Sequence, residues 1–421
     1  MSLIAISIAA LILALIGVPL FVVLGGLALA AFFHSGIEPS AVSVEIYRLA
    51  SAPTILTIPL FTFAGYLLAE SNAPKRLFRF TNALLSWMPG GVAIVGLVLC
   101  AFFTAFTGAS GVTIVALGGL IYPILMNRGH DDKFTMGFIT TSGSLGLLFP
   151  PSLPIILYGI VAGVDIDQLF KAGIVPGMLL IIGLAIYSIL KAPKENSEKG
   201  KFDLKEVLVG LKGAAFELFL VPAVLVGIYG GVVTVTEAAA FTAFYILMIE
   251  CFVYRDLSFT KDVPKIVVDS MTMVGAILII LCCALGLTNF LVDEEIPNQL
   301  FGAFNHILTN KYAFLAFLNI FLLIVGSLMD IFSAIIVVVP LILPLAQEFD
   351  IHPIHLAIVF LTNLEIGYIT PPVGINLFIS SIRFKRPITE LYRSALPFLF
   401  ILLICLAIIT YVPALSLIWV K

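Results

Sequence analysis

The sequence predicts an all-α polytopic membrane protein built from two inverted repeats. Of the 421 residues, 61% are hydrophobic and only 11% are Asp, Glu, Lys or Arg, which excludes an ordinary soluble domain. No charged side chain occurs between Arg79 and Arg128, and that stretch is long enough to enter a bilayer twice. The pattern Gly-x-x-x-Pro-Pro occurs twice, ending once at Pro151 and once at Pro372. The apolar runs lack period-2 alternation, so they predict helices rather than barrel strands.

Four consecutive parts are predicted along the chain. We assign N-terminal scaffold helices to residues 1–70, the first repeat to 71–190, a cytoplasmic linker with connecting scaffold helices to 191–265, and the second repeat with a C-terminal helix to 266–421. Each repeat should contain an arm helix in the membrane interface, a re-entrant hairpin and a broken transmembrane helix. The arms are predicted at 75–87 and 297–308, where polar and apolar residues alternate at helical spacing.

Two apolar stretches have the wrong length for a single crossing. As one straight helix, residues 91–126 would be about 54 Å long at ~1.5 Å per residue, whereas the hydrocarbon layer is about 30 Å thick. Gly108 to Gly111 lie in the middle of this stretch, where a helix breaks readily. Residues 312–346 show the same pattern, with Gly326 and Ser327 near the midpoint. We therefore predict a re-entrant hairpin at each of these stretches.

Each hairpin is followed by a crossing that proline interrupts. The crossings at 134–163 and 356–380 contain Pro150-Pro151 and Pro371-Pro372, and 221 residues separate the two sites. Proline cannot donate the hydrogen bond that a helix interior requires. Both crossings are therefore predicted to be broken helices.

Loop charges predict the orientation. Lys and Arg are enriched in the loops near residues 75–79, 128–133, 191–205 and 383–393, whereas the other loops are acidic or nearly neutral. Basic loops stay in the cytoplasm. The N-terminus is then cytoplasmic and the C-terminus periplasmic. The first hairpin opens from a basic loop and the second from an acidic one, so the two repeats have opposite orientations, a construction typical of secondary transporters.

The hairpin tips and helix breaks are the predicted site of chemistry. Unwound carbonyl groups in a broken helix can coordinate a sodium ion, and helix N-termini can bind an anion. Thr107 and Ser110 at the first tip should meet the break at 146–151, and Gly326 should meet Gly367 to Pro372. Oxygen ligands suit a hard cation such as sodium.

Polar residues near these breaks are candidates for holding the transported molecule. No Lys or Arg lies within the tips or breaks, so backbone N–H groups, hydroxyls and bound cations would hold an anion. The predicted substrate contacts are Ser110, Ser152, Asp330, Asn363 and Asn376. Asp330 and Glu365 are carboxylates at membrane depth, which are functional hypotheses by default. The alternative is that each caps a helix or faces water.

Several classes of function are excluded by what the sequence contains. The net charge is −3 and no long basic tract occurs, which argues against nucleic acid as a partner. The chain has no Gly-x-x-x-x-Gly-Lys-Ser/Thr motif and no His-Glu-x-x-His motif. It therefore lacks the sequence motifs of P-loop ATPases and of common zinc proteases. We therefore expect a transporter and not an enzyme.

Three motifs resemble the large membrane subunit of tripartite ATP-independent periplasmic (TRAP) transporters. They are Thr107-Gly-Ala-Ser-Gly-Val-Thr113, Phe149-Pro-Pro-Ser-Leu-Pro154 and Asn363-Leu-Glu-Ile-Gly-Tyr-Ile-Thr-Pro-Pro-Val-Gly-Ile-Asn-Leu377. The resemblance covers nearly the whole chain. It implies an elevator-type fold and sodium-driven import of an organic acid, with sialic acid or a dicarboxylate as candidates. It also implies two partners, which are a small four-helix membrane subunit and a periplasmic substrate-binding protein, and location in the bacterial inner membrane.

The same resemblance implies at least two co-transported sodium ions. One site would use Thr107, Ser110, Gly146, Phe149 and Pro151. The other would use Gly326, Gly367, Thr370 and Pro372. Two alternatives stay open: a stand-alone sodium/anion symporter that needs no binding protein, and a membrane enzyme that uses Asp330 and Glu365.

Overall fold

A computed structural model gives the fold. It describes residues 12–13, 18–34, 38, 40, 43–44, 47, 50–88, 90–193, 203–294 and 310–420. The predicted second arm at 297–308, most of the linker at 191–205 and the beginning of the chain lie outside the described residues.

The described residues form eighteen α-helices, with one 3₁₀ turn before α2, a second between α6 and α7, and a π-helical turn after α11. The helices are α1 Leu20–His34, α2 Thr57–Glu70, α3 Ala73–Leu85, α4 Gly91–Thr107, α5 Ser110–Asn127, α6 Asp132–Ser142, α7 Leu153–Ala162, α8 Ile166–Leu190, α9 Leu204–Gly213, α10 Ala215–Tyr229, α11 Val235–Met248, α12 Asp262–Asp293, α13 Lys311–Leu328, α14 Ile331–Glu348, α15 Pro353–Gly367, α16 Ile375–Phe384, α17 Ile388–Tyr411 and α18 Ala414–Leu417.

Many of these helices are long enough to span a membrane. Eight candidate spans in the described part are long and apolar enough to cross a bilayer, and up to ten are present if each bent helix pair is one span. The predicted all-α, polytopic fold class with hairpins and broken helices is therefore confirmed. The division of the chain into four parts stays a prediction.

The first hairpin consists of α4 and α5, and it turns where the sequence predicts, between Thr107 and Ser110. The second hairpin consists of α13 and α14, but its predicted turn at Gly326 and Ser327 is wrong by less than one helical turn. α13 continues to Leu328, and the chain turns at Asp330, which caps α14 by accepting a hydrogen bond from the Ser333 N–H at 2.9 Å. An aspartate N-cap satisfies a free helix donor, which explains the position of the turn.

The two broken helices have the same construction. In the first, α6 and a 3₁₀ turn (Leu145–Leu148) precede α7, and the two parts are bent by 45°. In the second, α15 ends at Gly367 and α16 begins at Ile375. The Pro150-Pro151 and Pro371-Pro372 peptide bonds are both cis.

The two repeats interlock rather than lie side by side. α14 of the second hairpin packs on α7 of the first broken helix, and α16 of the second broken helix packs on α5 of the first hairpin. The long helix α12 packs on α1 and α2. Hairpins and broken helices from the two halves of the sequence therefore pack against one another.

Basic loops from distant parts of the chain also come together. Arg386, which follows α16, forms a 2.9 Å ion pair with Asp132 at the start of α6. The arm α3 packs on α9, and exposed Arg79 pairs with exposed Glu206 at 3.2 Å. We call the side of the protein that carries Asp132, Lys191 and Arg386 the basic face.

Candidate ion and substrate site

The first tip, which we define as residues 107–110, is a tight turn between two buried helix ends. Gly108 follows Thr107 with a φ of 63°, which glycine adopts without strain. Ala109 is extended, and Ser110 begins α5. Thr107 and Ser110 are both buried. The turn therefore places two hydroxyl groups inside the protein at the ends of two helices.

The first tip packs directly on the first break, which we define as residues 143–152. A Cβ atom added to Gly108 would lie 2.6 Å from Cβ of Leu153, and one added to Gly143 would lie 3.4 Å from the carbonyl oxygen of Ser110. The Thr104 hydroxyl donates a hydrogen bond to the Gly143 carbonyl at 2.7 Å. The structure thus brings together the tip and break that the sequence paired.

The first break contains four of the predicted site residues: Gly146, Phe149, Pro151 and Ser152. The Phe149 N–H donates to the Gly146 carbonyl at 3.0 Å, and the Phe149 carbonyl accepts from the Ser152 N–H at 2.9 Å. Pro151 is buried, and Phe149 is half-buried. The Ser152 hydroxyl is buried and has no hydrogen-bond partner among the described residues, so it is an oxygen that a ligand can use.

The second tip (328–331) and the second break (368–374) form a similar assembly. The Ser327 carbonyl accepts a hydrogen bond from the Gly374 N–H at 3.0 Å. The Tyr368 hydroxyl accepts from the Ile331 N–H, the first donor of α14, at 2.7 Å. These two bonds fix the second hairpin to the second broken helix.

A backbone contact is repeated at the offset of the sequence repeat. A Cβ atom added to Gly146 would lie 2.3 Å from the backbone nitrogen of Ala105, and one added to Gly367 would lie 2.6 Å from Cα of Gly326. The separation of 221 residues that relates Gly146 to Gly367 also relates Ala105 to Gly326. Each hairpin therefore touches its own broken helix backbone to backbone, with no side chain between them.

A hydrogen-bonded chain connects the two assemblies. The Ser110 hydroxyl donates to Oδ1 of Asn376 at 2.6 Å, and Nδ2 of Asn376 donates to the Thr140 carbonyl at 3.2 Å. The Thr140 hydroxyl in turn donates to the Ser380 hydroxyl at 2.9 Å. Sequence analysis named Ser110 and Asn376 but missed Thr140 and Ser380. The available signal was that each is a hydroxyl residue within an interrupted crossing.

Other predicted oxygens already have protein partners. The Thr370 hydroxyl donates to the Ile366 carbonyl at 2.9 Å, and the Pro372 carbonyl accepts from the Tyr392 hydroxyl. Asp330 is half-buried and is held by Ser333, whose hydroxyl donates to it at 2.5 Å. Asp330 was predicted either to act in transport or to cap a helix or face water, and the structure shows that it caps α14.

Asn363 lies in a different polar group from Asn376. Its Nδ2 donates to Oδ1 of Asn319 at 2.7 Å, and Nδ2 of Asn319 donates to the Thr410 hydroxyl at 3.1 Å. These contacts join α15 to α13 and α17, whereas Asn376 bonds to the first hairpin and first broken helix. The structure does not join Asn363 to the Ser110–Asn376 chain by a hydrogen bond.

Glu365 neither caps a helix nor faces water. Its side chain is fully buried, and both carboxylate oxygens lack a hydrogen-bond partner among the described residues. An ionised carboxylate in such surroundings is far more costly than a protonated one. Glu365 is therefore in the environment of a group that carries a proton or meets a cation.

A charged cluster at the arm helix was not foreseen. The Arg76 guanidinium bonds to Glu217 at 2.6 Å, to Glu250 at 2.8 Å and to Asp256, and it lies 3.7 Å from the ring centre of Tyr254. Burial disfavours ionisation of Asp256, but the hydrogen bonds from Arg76 and Asn72 outweigh it and hold the pKa of this carboxyl below its usual value. Sequence spacing does not bring these residues together, so only the fold reveals the cluster.

Comparisons with a family model and with individual known proteins point to the same family. Residues 6–415 match the family described as "Tripartite ATP-independent periplasmic transporter, DctM component". The chain is 35% identical over 403 residues to an isethionate TRAP transporter permease protein, DctMQ, of Oleidesulfovibrio alaskensis, covering 95% of this chain but only 63% of that protein. It is 34% identical to a C4-dicarboxylate TRAP transporter large permease protein of Pseudomonas aeruginosa, covering 90% and 88% of the two chains.

Two further likenesses are more distant. A sialic acid TRAP transporter large permease protein of Vibrio cholerae is 29% identical, covering 86% of this chain and 85% of that protein. The crystal structure of the Alcanivorax borkumensis YdaH transporter has a TM-score of 0.63 at 14% identity, covering 90% and 88% of the two chains. The latter likeness shows a shared fold alone. All of these named relatives are transport proteins, so the alternative of a membrane enzyme is not supported.

Proposed function

Because the chain belongs to the tripartite ATP-independent periplasmic transporter family as its DctM component, we propose that it couples sodium entry to the import of a small organic anion. It is a multi-pass membrane protein, and the proposal places it in the bacterial inner membrane with a cytoplasmic N-terminus and a periplasmic C-terminus. A small four-helix membrane subunit and a periplasmic substrate-binding protein would complete the transporter.

One observation carries the sodium part of the proposal. The first tip and first break bring carbonyl and hydroxyl oxygens into a buried region, whereas the second break is partly open, with Pro371 and Pro372 exposed; no Lys or Arg lies in any tip or break segment. A hard cation such as sodium prefers oxygen ligands. We propose one sodium site around the first tip and first break, and a second around Gly326, Gly367 and the second break. Two sodium ions would offset the charge of a divalent anion during its passage.

The substrate part rests on helix ends and free polar groups. α5 and α7 begin at the first tip and first break, whereas α14 and α16 begin at the second tip and second break. The N-terminus of a helix carries partial positive charge and free N–H groups, which bind carboxylates. Ser110, Ser152 and Asn376 would add side-chain contacts. The named relatives include C4-dicarboxylate, isethionate and sialic acid permeases, so we propose a C4-dicarboxylate first and the other two as competitors.

The direct contact of each hairpin with its broken helix supports an elevator mechanism. Since no side chain separates Gly326 from Gly367, or Ala105 from Gly146, each hairpin and its break would move as one body. The Ser110–Asn376 bond would couple the two bodies. Ions and substrate would then cross the membrane with their coordination intact.

Uptake into proteoliposomes tests the proposal. The purified chain and its small membrane subunit would be reconstituted with an inward sodium gradient, with labelled C4-dicarboxylate added in the presence or absence of the periplasmic binding protein. We expect uptake only with both sodium and the binding protein. Uptake without the binding protein would favour the stand-alone symporter. Uptake driven by a proton gradient without sodium would contradict sodium coupling and direct attention to Glu365.

A further inference from the structure

A cavity of about 400 Å³ lies on the basic face, apart from the tips and breaks. It is formed by the α5–α6 loop, the start of α6, the end of α8 and the start of α17. Three cationic side chains line it: Lys133, Lys191 and Arg393. This volume is in the range of small-molecule sites.

Within the part of the chain that the structure describes, the positive charges lining the cavity are not balanced by carboxylates. Among the described residues, no carboxylate lies within ion-pair distance of Lys133, Lys191 or Arg393. The one carboxylate in the lining, Asp131, caps α6 by accepting the Phe134 N–H at 3.0 Å. Three positive side chains and one negative side chain leave an excess of two positive charges, which favours an anion.

A buried imidazole supplies a second, independent indication. His130 lines the cavity and is only 6% exposed, and its Nδ1 has no hydrogen-bond partner among the described residues. Its ring stacks on Phe134 with centroids 4.7 Å apart. Burial lowers the pKa of His130, and Asp131 opposes this only in part. A neutral imidazole can present an N–H donor to a ligand, and an unpaired buried nitrogen is otherwise costly.

The surroundings resemble the membrane boundary. The cavity has aromatic walls, since Tyr187 and Phe398 contact each other edge to face at 5.0 Å. Beside it, Leu190 on α8 and Phe400 on α17 are strongly exposed apolar residues, at 75% and 64%. Exposed apolar side chains on spanning helices face acyl chains, whereas Lys and Arg at the ends of such helices contact lipid phosphates.

We propose that this cavity binds a phosphate group, held by Lys133, Lys191, Arg393 and His130. The phosphate can come from an anionic phospholipid, whose chains would lie along α8 and α17, or from a soluble phosphate compound. The cavity joins the first broken helix to α8 and α17, so the bound phosphate would connect these three helices. This site is independent of the transported anion and of the sodium sites.

Binding of phosphatidylglycerol tests the site. The purified, detergent-solubilised chain would be titrated with phosphatidylglycerol, with phosphatidylcholine and with inorganic phosphate, and bound ligand counted by native mass spectrometry alongside the apparent melting temperature. We expect phosphatidylglycerol to bind and to raise the melting temperature. Binding of inorganic phosphate in the absence of lipid would identify a soluble source, whereas binding of phosphatidylglycerol alone would identify a lipid source.

Variants identify the residues. The double variant Lys191→Gln/Arg393→Gln should bind the ligand at least about tenfold more weakly, since two charge-assisted hydrogen bonds are lost. Lys205→Gln/Lys212→Gln, which removes two exposed lysines of α9 that do not line the cavity, is the matched control and should bind as the parent does. Arg393→Lys keeps the charge and should retain most of the binding.

A third variant separates a ligand role from packing. His130→Phe keeps an aromatic ring against Phe134 but removes both nitrogens, so it should fold and bind the ligand more weakly. The proposal is overturned if neither phosphatidylglycerol nor phosphate binds the parent chain, or if the Lys191→Gln/Arg393→Gln variant binds as tightly as the control.

Discussion

The hydroxyl of Ser110 donates a 2.6 Å hydrogen bond to Oδ1 of Asn376, although 266 residues separate them. Ser110 begins the second leg of the first hairpin, and Asn376 lies in the first turn of the helix that follows the second break. Both side chains are buried. The bond therefore joins the candidate site of one repeat to that of the other.

Removing the Ser110 hydroxyl tests whether this bond supports ion binding. Ser110→Ala leaves a buried amide oxygen of Asn376 without its donor, at a cost of about 1–3 kcal/mol. If this cost falls on the ion-bound state, the sodium concentration for half-maximal uptake should rise by about fivefold or more. Sodium titration of uptake in proteoliposomes measures it. The control is Ser188→Ala, because the only partner of the buried Ser188 hydroxyl among the described residues is the Leu184 carbonyl of its own helix. If uptake by the two variants depends on sodium concentration in the same way, Ser110 does not contribute to sodium binding.

The contact between Gly326 and Gly367 predicts a strong effect of one methyl group. In Gly367→Ala the new Cβ would lie 2.5 Å from the backbone carbon of Gly326, and overpacking of this kind costs about 1–3 kcal/mol. We expect a lower melting temperature and loss of uptake. Gly275→Ala is the control, since a Cβ at this position meets nothing within 4 Å. It should be neutral or slightly stabilising, and a Gly367→Ala protein equal to it in stability would contradict the contact.

The Arg76 cluster predicts an unequal response of two neighbouring arginines. Arg76→Leu leaves Glu217 and Glu250 buried without their cation, which costs about 3–5 kcal/mol for a broken buried pair. Arg79→Leu breaks only the exposed pair with Glu206, which is worth below about 1 kcal/mol. Thermal unfolding in detergent should show a large loss of stability for the first variant and a small one for the second. Similar losses would mean that the cluster does not brace the arm.

The proposed elevator predicts that Gly65→Ala changes the population of conformations, whereas Gly367→Ala lowers the stability of the fold. A Cβ at Gly65 of α2 would lie 2.4 Å from the carbonyl oxygen of Phe106, next to the first tip. If the tip moves past α2, this clash exists only in the conformation seen here, so Gly65→Ala should shift the population toward the other conformation and leave sodium binding measurable. Distances between fluorescent labels on α2 and α5 report the shift. An unchanged distance distribution with a destabilised fold would favour a fixed site with moving gates.

The proposed orientation has its own test. In proteoliposomes of known sidedness, a cysteine at Lys205 should react only with a cytoplasmic thiol reagent, and one at Asp165 only with a periplasmic reagent, because basic loops stay inside. Both positions are exposed. The parent chain, with its five native cysteines, gives the background. Labelling of both sites from one side would contradict the inverted repeat.

Features that depend on local composition were predictable from the sequence. The turn at Gly108 follows from the need for a positive φ between two apolar runs, and the Pro-Pro breaks follow from the missing N–H donors. The second turn was misplaced because Gly326 is a packing glycine inside α13, whereas α13 ends at Leu328 and the Asp330 cap begins the second leg. A glycine alone does not distinguish a turn from a close helix contact.

Features that depend on long-range packing were not predictable. Arg76 meets carboxylates 141, 174 and 180 residues away, and nothing in their spacing indicates it. Asn363 and Asn376 belong to one motif but face different helices, because the break between them redirects the chain. The unpartnered state of Glu365 is likewise a property of the packed protein, since a single charged residue in an apolar run is compatible with several environments.

The glycine contacts also bear on the order of assembly during synthesis. Ala105 and Gly146, like Gly326 and Gly367, are only 41 residues apart in the chain, so each hairpin can find its broken helix as soon as its own half has left the ribosome. Closing a loop of 41 residues costs about 1.7 kcal/mol less than closing the loop of 266 residues between Ser110 and Asn376. The bond from Ser110 to Asn376 needs residues from both halves and must wait until the second half is made. The first half would thus form its own hairpin-to-break contact before the second half is made, whereas its packing against α14 and α16 would form only afterwards.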